Sequence, residues 1–320
     1  MLHKSRGARL KVLTWHVHGN YLYYLTQAPH DFYIVTKPGN PPGYAGRVGA
    51  LPWGDNVHEV SYDEVRNGDF DVVLYQHRSN YEQDRLAILS EAQLQLPQVY
   101  IEHDPPQEHP TDTKHWMQDP NGLLVHVTHF NRLMWDSGVT PTRVIEHGVL
   151  VPEGVQYDGQ LERGITVINH LRQRGRRLGA DVFEHARARV PLDLIGMDAE
   201  SAGGIGEVAN PDVAAFCSRY RFFFNPIRYT SLGLAIVEAM TIGMPIIGLA
   251  TTELATVIDN GYNGYVSADP DALVDVMQML LQNPDQARKL GDGARQTAVE
   301  RFGIQRFAND WDDLLCHVTH

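Results

Sequence analysis

The sequence predicts two consecutive α/β domains, each built on a parallel sheet, and three observations carry that prediction. Short apolar runs bounded by turn residues alternate with helix-like stretches from the start of the chain. The same alternation restarts after a Pro-, Gly- and polar-rich stretch at 149–163. Polar residues, histidines above all, stand just beyond the apolar runs, where ligands of parallel sheets bind. At 320 residues the chain is long enough for two cores.

In the first half KVLTW (11–15) leads into His16-Val-His18-Gly19-Asn20, and DFYIVT (31–36) ends at Lys37-Pro-Gly. DVVLYQ (71–76) ends in His77 and Arg78, and residues 81–95 read as a helix on Leu86, Ile88, Leu89 and Leu94. QVYIEH (98–103) runs into Asp104-Pro-Pro, which neither helix nor strand continues through. LLVHVT (123–128), a helix over 129–137 and the strand TRVIEHG (142–148) complete this half. His16, His77, His103 and His129 each stand at or just past a strand end.

The second half repeats the pattern. ITVINH (165–170), a helix near 178–189, LDLIG (192–196), a Gly-rich loop at 200–206, a helix at 211–219 and RFFFNP (221–226) come first. A helix over 234–242, the strand PIIGL (245–249) and a turn at 259–264 follow. Three helices close the chain. Asp269-Pro270 opens the first of them, Leu273, Val274, Met277, Leu280 and Leu281 form its apolar face, and Ile304, Phe307, Trp311 and Leu314 mark the last. The expected division is 1–155, 156–302, and a final helix at 303–320 packing back on the first domain. Two Rossmann-like halves imply a cleft between them as the ligand site.

The chain carries 27 basic and 39 acidic residues, a net charge of −12 shared evenly between the halves. No basic stripe interleaves with aromatic platforms, which speaks against nucleic acid as a partner. Cys217 and Cys316 read as free thiols in a reducing compartment. The opening MLHKSRGARLKVLTW has charge and no long apolar run, and nothing later reaches membrane-spanning length. The expectation is a cytoplasmic protein with no membrane span, which leaves peripheral contact with a membrane open. Oligomeric state is not fixed by the sequence.

The stretch SLGLAIVEAMTIGMPIIG (231–248) sets one carboxylate, Glu238, in an apolar segment. A buried unpaired carboxylate is costly, so Glu238 is expected to meet something polar. Gly233 permits close approach at the helix start, the first amides there favour phosphate, and Glu238 lies about a turn inside, where a diol such as a ribose is within reach. Gly243 is suited to end the helix in a left-handed conformation and Pro245 to fix the exit.

From Phe222 to Trp311 these residues resemble the C-terminal domain of retaining glycosyltransferases of family four, which have the two-domain GT-B fold. The matches are Ser231-Leu232-Gly233-Leu234, Glu238-Ala239-Met240, Gly243-Met244-Pro245, Glu253, Asn263-Gly264 and the tail GDGARQTAVERFGIQRFANDW. The resemblance implies retaining glycosyl transfer from a nucleoside-diphosphate sugar to an acceptor, with no cofactor beyond that donor. The family's first signature Glu falls at position 230, where this chain has Thr230, a single hydroxyl in place of a charged double acceptor. A different donor sugar, a rearranged contact through Arg228 or Tyr229, or loss of activity all follow from that change.

A departing diphosphate needs fixed positive charge. The stretch Asn169-His-Leu-Arg-Gln-Arg-Gly-Arg-Arg177 supplies Arg172, Arg174, Arg176 and Arg177 after the first strand of the second half. By resemblance Arg174-Gly175 stands for the family's Lys-Gly, His170 falls where its Arg is usual, and Arg172 takes over that Arg's task. Arg176 and Arg177 fit a solvated helix start better. In the first half, the expected acceptor side as the second is the donor side, Gly19 stands in the loop that approaches the donor, His103 matches the histidine over the donor sugar, His147-Gly148 stands for an Asn-Gly before the link, and Glu102, Asp104, Glu108 and His109 are candidates to face the acceptor. The catalytic candidates are therefore His103, Arg172 and Arg174. The donor-binding candidates are Gly19, His170, Thr230, Ser231, Gly233, Leu234 and Glu238. No Asp-x-Asp motif lies in a suitable place, so no metal is expected.

Two other classes compete. A nucleotide-sugar-binding or scaffold protein without turnover is motivated by Thr230. A metal-dependent hydrolase is motivated by His16-Val-His18 and by EHDPPQEHPTDTKH, with His103, Asp104, His109, Asp112 and His115. A dinucleotide-dependent dehydrogenase lacks the GxGxxG loop after either leading strand.

Overall fold

The computed structural model describes residues 8–320. The chain divides into two compact units, one running to Gly148 and adding Ile304–His320, the other Val149–Gly303.

The first unit is a seven-stranded parallel sheet. In chain order it contains β1 (Lys11–Thr14), α1 (Gly19–Leu25), β2 (Asp31–Thr36), β3 (Val57–Ser61), β4 (Val72–Tyr75), α2 (Arg85–Ile88), β5 (Gln98–Glu102), β6 (Leu123–His126), α3 (His129–Met134) and β7 (Thr142–Val144). The strand order β3-β2-β1-β4-β5-β6-β7 reverses direction between β1 and β4. In a doubly wound sheet that reversal opens a crevice at the carboxyl ends of the strands, where ligands bind. The residues after β1, β4 and β5 are therefore the ones the fold presents.

Three sequence expectations change here. The helix expected over 81–95 is a π-helical turn (Asn80–Asp84), the short α2, and a separate 3-10 turn (Gln93–Gln95). The interruption is a reciprocal cap: Ser90 Oγ accepts from Gln93 N at 3.3 Å and Gln93 Oε1 accepts from Ser90 N at 2.9 Å, which starts a new turn. The strand expected to reach residue 148 stops at Val144. Beyond it the carbonyls of Glu146 and His147 accept the Arg306 guanidinium (2.9 and 2.5 Å). The edge strand β3 and the helix α1 are additions that the apolar pattern does not predict.

The second unit has β8 (Leu161–Val167), α4 (Leu171–Arg174), α5 (Ala180–Arg187), β9 (Leu192–Ile195), α6 (Val213–Cys217), β10 (Tyr220–Asn225), α7 (Leu234–Ile242), β11 (Ile246–Leu249), α8 (Leu254–Val257), β12 (Gly264–Ser267), α9 (Pro270–Gln282) and α10 (Pro284–Arg301). Its parallel strands run in the order β12-β11-β10-β8-β9, so its reversal lies between β8 and β10. Phe183, Leu194, Phe222, Phe224, Met277 and Leu280 fill its core. Buried Arg221 is satisfied by the carbonyls of Gly159, Leu280 and Leu281.

The last helix, α11 (Ile304–Thr319), belongs to the first unit. Its Phe307 ring meets Tyr21 of α1 edge-on at 5.6 Å, and a side chain at Gly148 would collide with Phe307. Among the described residues no helix is long and apolar enough to cross a membrane.

Candidate functional site

At the first unit's reversal the side chains after β1, β4 and β5 meet. Gln76 follows β4, and its Nε2 donates to Thr14 Oγ1 (3.2 Å) and to the Trp15 carbonyl (2.9 Å). Both amide hydrogens are thereby used, and Oε1 points to His103 Nε2 at 3.3 Å. His103 therefore donates through Nε2, which fixes the neutral tautomer with an accepting lone pair on Nδ1. The ring lies 4.1 Å from that of His18 and edge-on to Tyr21 at 4.6 Å. Burial, then the neighbouring His18 and His147, lowers its pKa well below the usual value, so it stays uncharged. Gly19 opens α1 with the His16 ring close by: a Cβ there would stand 3.0 Å from His16 Nε2. His16 Nδ1 is in turn 2.6 Å from the Gly46 carbonyl.

Beside His103 the first unit holds a cavity of about 430 Å³, lined among others by Gln76, Arg78, Glu102, Asp104, Trp116 and Trp135. Glu102 is buried, with Oε1 accepting from Asp104 N at 3.0 Å and Oε2 lying 3.1 Å from His115 Nε2. His115 Nδ1 accepts from Met117 N, so its proton sits on Nε2 facing Glu102. Burial raises the Glu102 pKa and lowers that of His115 to about 3. Sequence reasoning does not single out Gln76 and gives Glu102 no part in the donor site. Their shared signal is a polar residue at the end of an otherwise apolar strand run.

At the second unit's reversal the segments after β8 and β10 stand side by side. His170 takes a left-handed conformation (φ 54°), its N donates to the Met197 carbonyl at 2.8 Å, and its carbonyl accepts from Arg174 N at 2.9 Å. The loop after β10 is tied to the arginine stretch: the Arg177 carbonyl accepts from Arg228 N (3.1 Å) and Tyr229 N (3.2 Å). Arg228 grips Asp181 bidentately at 2.5 and 2.8 Å, and Arg176 joins the same carboxylate at 2.6 Å. Arg172 donates to the Ser201 carbonyl at 2.8 Å and lines a separate groove with Asp181, Glu184 and Arg187. Arg174 is exposed. Arg177 differs from these. It is half-buried, and among the described residues its guanidinium has neither ion pair nor hydrogen bond. Arg228, one sequence candidate to act in place of the signature Glu that Thr230 replaces, is thus committed to Asp181.

Thr230 is half-buried and Ser231 buried in the loop that ends at Gly233, the N-cap of α7. The N-cap is Gly233, which has no side chain to cap the helix, and the amides of Leu234 and Ala235 stand at its start, whereas Ile236 N donates to the Gly233 carbonyl at 3.1 Å. Gly243 ends the helix in the left-handed region (φ 92°). Glu238 is half-buried and faces α6, across a recess of about 10 Å³ lined also by Ala214 and Cys217. A recess that size holds about one water. Burial, then the Glu238 charge, pushes the Cys217 thiol up to about 12. The other motif matches carry the framework. Glu253 is buried and meets Arg301 at 3.2 Å. Asn263 bonds Val257 O, Thr297 Oγ1 and Asp259 N, and Gly264 lies where a side chain would strike the Ile246 carbonyl.

Of the residues behind the metal-hydrolase alternative His18 and His103 meet, but among the described residues no three of them bring ligand atoms within 4.8 Å of one another. Among the described residues the group of His, Cys, Asp and Glu with ligand atoms within 4.8 Å of one another is His30, Asp312 and Cys316. His30 Nδ1 accepts from Leu10 N at 3.3 Å, which places the ring proton on Nε2, the nitrogen facing Asp312. A metal would need that nitrogen bare.

A family model described as glycosyl transferases group 1 matches residues 188–283. Over 106 residues the chain is 33% identical to MMP alpha-(1->4)-mannosyltransferase of Mycolicibacterium hassiacum, a match covering 32% of this chain and 25% of that protein. Over 90 residues it is 29% identical to N-acetyl-alpha-D-glucosaminyl L-malate synthase of Bacillus anthracis, covering 28% of this chain and 24% of that protein. The chain thus spans about a quarter of the length of these curated relatives. Sucrose-phosphate synthase from Thermosynechococcus elongatus is similar in structure over 96% of this chain and 98% of its own, with a TM-score of 0.70 at 16% identity. Anabaena HepE in complex with UDP-glucose is similar over 96% and 99%, with a TM-score of 0.66 at 11% identity. At such identities the likeness concerns architecture. The chain has the two-domain α/β construction of the GT-B fold.

Proposed function

We propose that the protein transfers a glycosyl group from a nucleoside-diphosphate sugar to an acceptor, with retention of anomeric configuration and without a metal ion. The observation that carries this reading is the uncapped start of α7 at the second sheet's reversal, together with the uncommitted guanidinium of Arg177. Helix amides and a guanidinium together suit a diphosphate. The similarity of 188–283 to glycosyl transferases group 1 and the UDP-glucose complex of a structural relative support the same donor class.

In this reading the diphosphate lies before α7, with Arg177 assisted by Arg174 and the Ser231-Thr230 hydroxyls nearby. Arg177 and the amides take up the charge that grows as the bond from the anomeric carbon to the phosphate oxygen breaks. The ribose approaches Glu238 from the N-terminal rim of α7, because the recess behind that carboxylate admits about one water. His103 of the first unit, neutral with its Nδ1 lone pair available, can accept a sugar hydroxyl without bringing positive charge. The acceptor oxygen bonds the anomeric carbon on the face the phosphate leaves, and its proton passes to the departing phosphate oxygen.

The test is to incubate the protein with α-anomeric UDP-, GDP- and ADP-hexoses and follow diphosphate release, then read the product anomer by NMR. An α product supports retention, a β product contradicts it, and no release from any donor contradicts transfer. Thr230 motivates one second reading, a protein that binds the nucleotide sugar without turnover. Tight nucleotide binding with no release, with or without acceptors, is its signature.

A further inference from the structure

We infer that the first unit carries a separate small-ligand site, at the amino ends of its strands, for a basic α-amino acid such as lysine or arginine. A cavity of about 690 Å³, the size of an ordinary small-ligand site, opens between the entry to β2, the start of β7 and the last turns of α11. His30 and Arg143 line it from the sheet and Asp312 and Asp313 from the helix, with Ala8 and Pro29 beside them. Gln76 and His103, by contrast, follow the carboxyl ends of β4 and β5. The six residues of β2 alone span about 20 Å, so a ligand in this cavity takes no part in chemistry at His103. The assignment is therefore independent of the transfer reading.

The polar groups of this cavity lack partners. Arg143 is half-buried, and among the described residues its guanidinium has neither ion pair nor hydrogen bond. Asp313 is exposed and has none either among those residues. Opposite charges that line one cavity without pairing leave a gap that a ligand of complementary charge can bridge. His30 adds a third demand. It is buried, and burial lowers its pKa against the pull of Asp312, so the ring is a neutral donor through Nε2. That nitrogen lies 3.1 Å from Asp312 Oδ1 but makes no hydrogen bond. A buried donor without an acceptor costs free energy, and the proton that turns a metal away suits an incoming carboxylate. Imidazoles apart, the charged side chains of the lining are one cation and two carboxylates. Their complement is one carboxylate and two cationic nitrogens, the charge set of lysine or arginine. Ala8 and Pro29 offer apolar surface to the methylene stem.

The experiment titrates the full chain at pH 7 with L-lysine, L-arginine, cadaverine and L-norleucine in a calorimeter. Cadaverine is lysine without its carboxylate, and norleucine is lysine without its side-chain ammonium. Lysine or arginine is expected to bind saturably at one site per chain. Each comparator should bind at least about tenfold more weakly than lysine, the scale of one lost charged hydrogen bond. Arg143→Gln should weaken lysine by about tenfold or more and bring it level with cadaverine, and Asp313→Asn should bring it towards norleucine. Neither residue is buried, and a cooperative melting transition checks that each variant is folded. Should a variant fail that check, the wild-type ranking of the four compounds decides. No saturable binding of either basic amino acid overturns the assignment, as does cadaverine or norleucine binding as tightly as lysine. Unchanged lysine affinity in either folded variant overturns it too.

Discussion

Gln76 controls His103 through its amide orientation, because its two hydrogens are spent on Thr14 and Trp15 and its oxygen faces the imidazole. Replacing it by Glu presents a carboxylate to the ring, raises the His103 pKa and puts charge where a neutral acceptor is required. Gln76→Glu is expected to lower kcat by about tenfold or more, with a steeper loss below pH 7. A pH–rate profile identical to wild type would remove His103 from the chemistry. Among the arginines the geometry separates roles that spacing does not. Arg176 and Arg228 share Asp181, and Arg172 holds the Ser201 carbonyl, whereas Arg177 keeps its guanidinium available. Arg177→Ala should therefore reduce donor turnover by about 1.5–3 kcal/mol of a charged hydrogen bond, and Arg176→Ala by much less. Equal losses in steady-state kinetics would contradict this. The sequence marks the arginine stretch but favours Arg172 and Arg174 over Arg177, since partners distant in sequence, such as Asp181 for Arg228, decide which cation is left over.

At the scale of elements, Gly179 begins α5 with φ 78°, at a point where a methyl group would collide with the Pro226 carbonyl. It holds the arginine stretch against the loop that leads to α7. Gly179→Ala should cost more than about 1 kcal/mol in chemical denaturation, since both the backbone conformation and the space disfavour a side chain. A neutral result would mean that the loop yields. Elements with clear start and stop signals were legible in the sequence: α7 spans the expected 234–242 between Gly233 and Gly243, and Asp269 caps α9 before Pro270 as the Asp-Pro pair predicts. The elements that escaped have local reasons. β3 is an edge strand (VHEVS) whose side chains beyond Val57 are only half-buried or exposed, so its alternation is blunt. The first turn of α1 holds Gly19 and has neither a side-chain cap nor an acidic residue. The helix expected at 81–95 is broken by the Ser90–Gln93 cap, a pattern short enough to be overlooked inside an apolar run. The candidate site was legible where strand ends carry it and obscure where side-chain pairing selects among similar residues.

For the whole molecule, acid stability should be governed by buried histidines of the first unit. Burial holds His115 and His126 at about 3, against 6.5 for an ordinary imidazole. Between those values the unfolded chain binds more protons than the folded one, so stability rises with pH from 3 to 6.5, by up to about 1.4 kcal/mol per pH unit for each histidine. Glu102, raised by burial, acts in the opposite sense above its ordinary value and offsets part of the effect. His126→Leu should flatten the acid limb in urea titrations at several pH values, and an unchanged slope would contradict that origin. The central claim concerns the other unit, where α7 and Arg177 are proposed to grip the two phosphates of a nucleotide. Calorimetry with UDP, GDP and ADP beside uridine, guanosine and adenosine tests it most directly. The account predicts that one diphosphate binds at least about tenfold tighter than its nucleoside and that Arg177→Ala erases the difference. A nucleoside binding as tightly as its diphosphate, or no diphosphate binding at all, would contradict it.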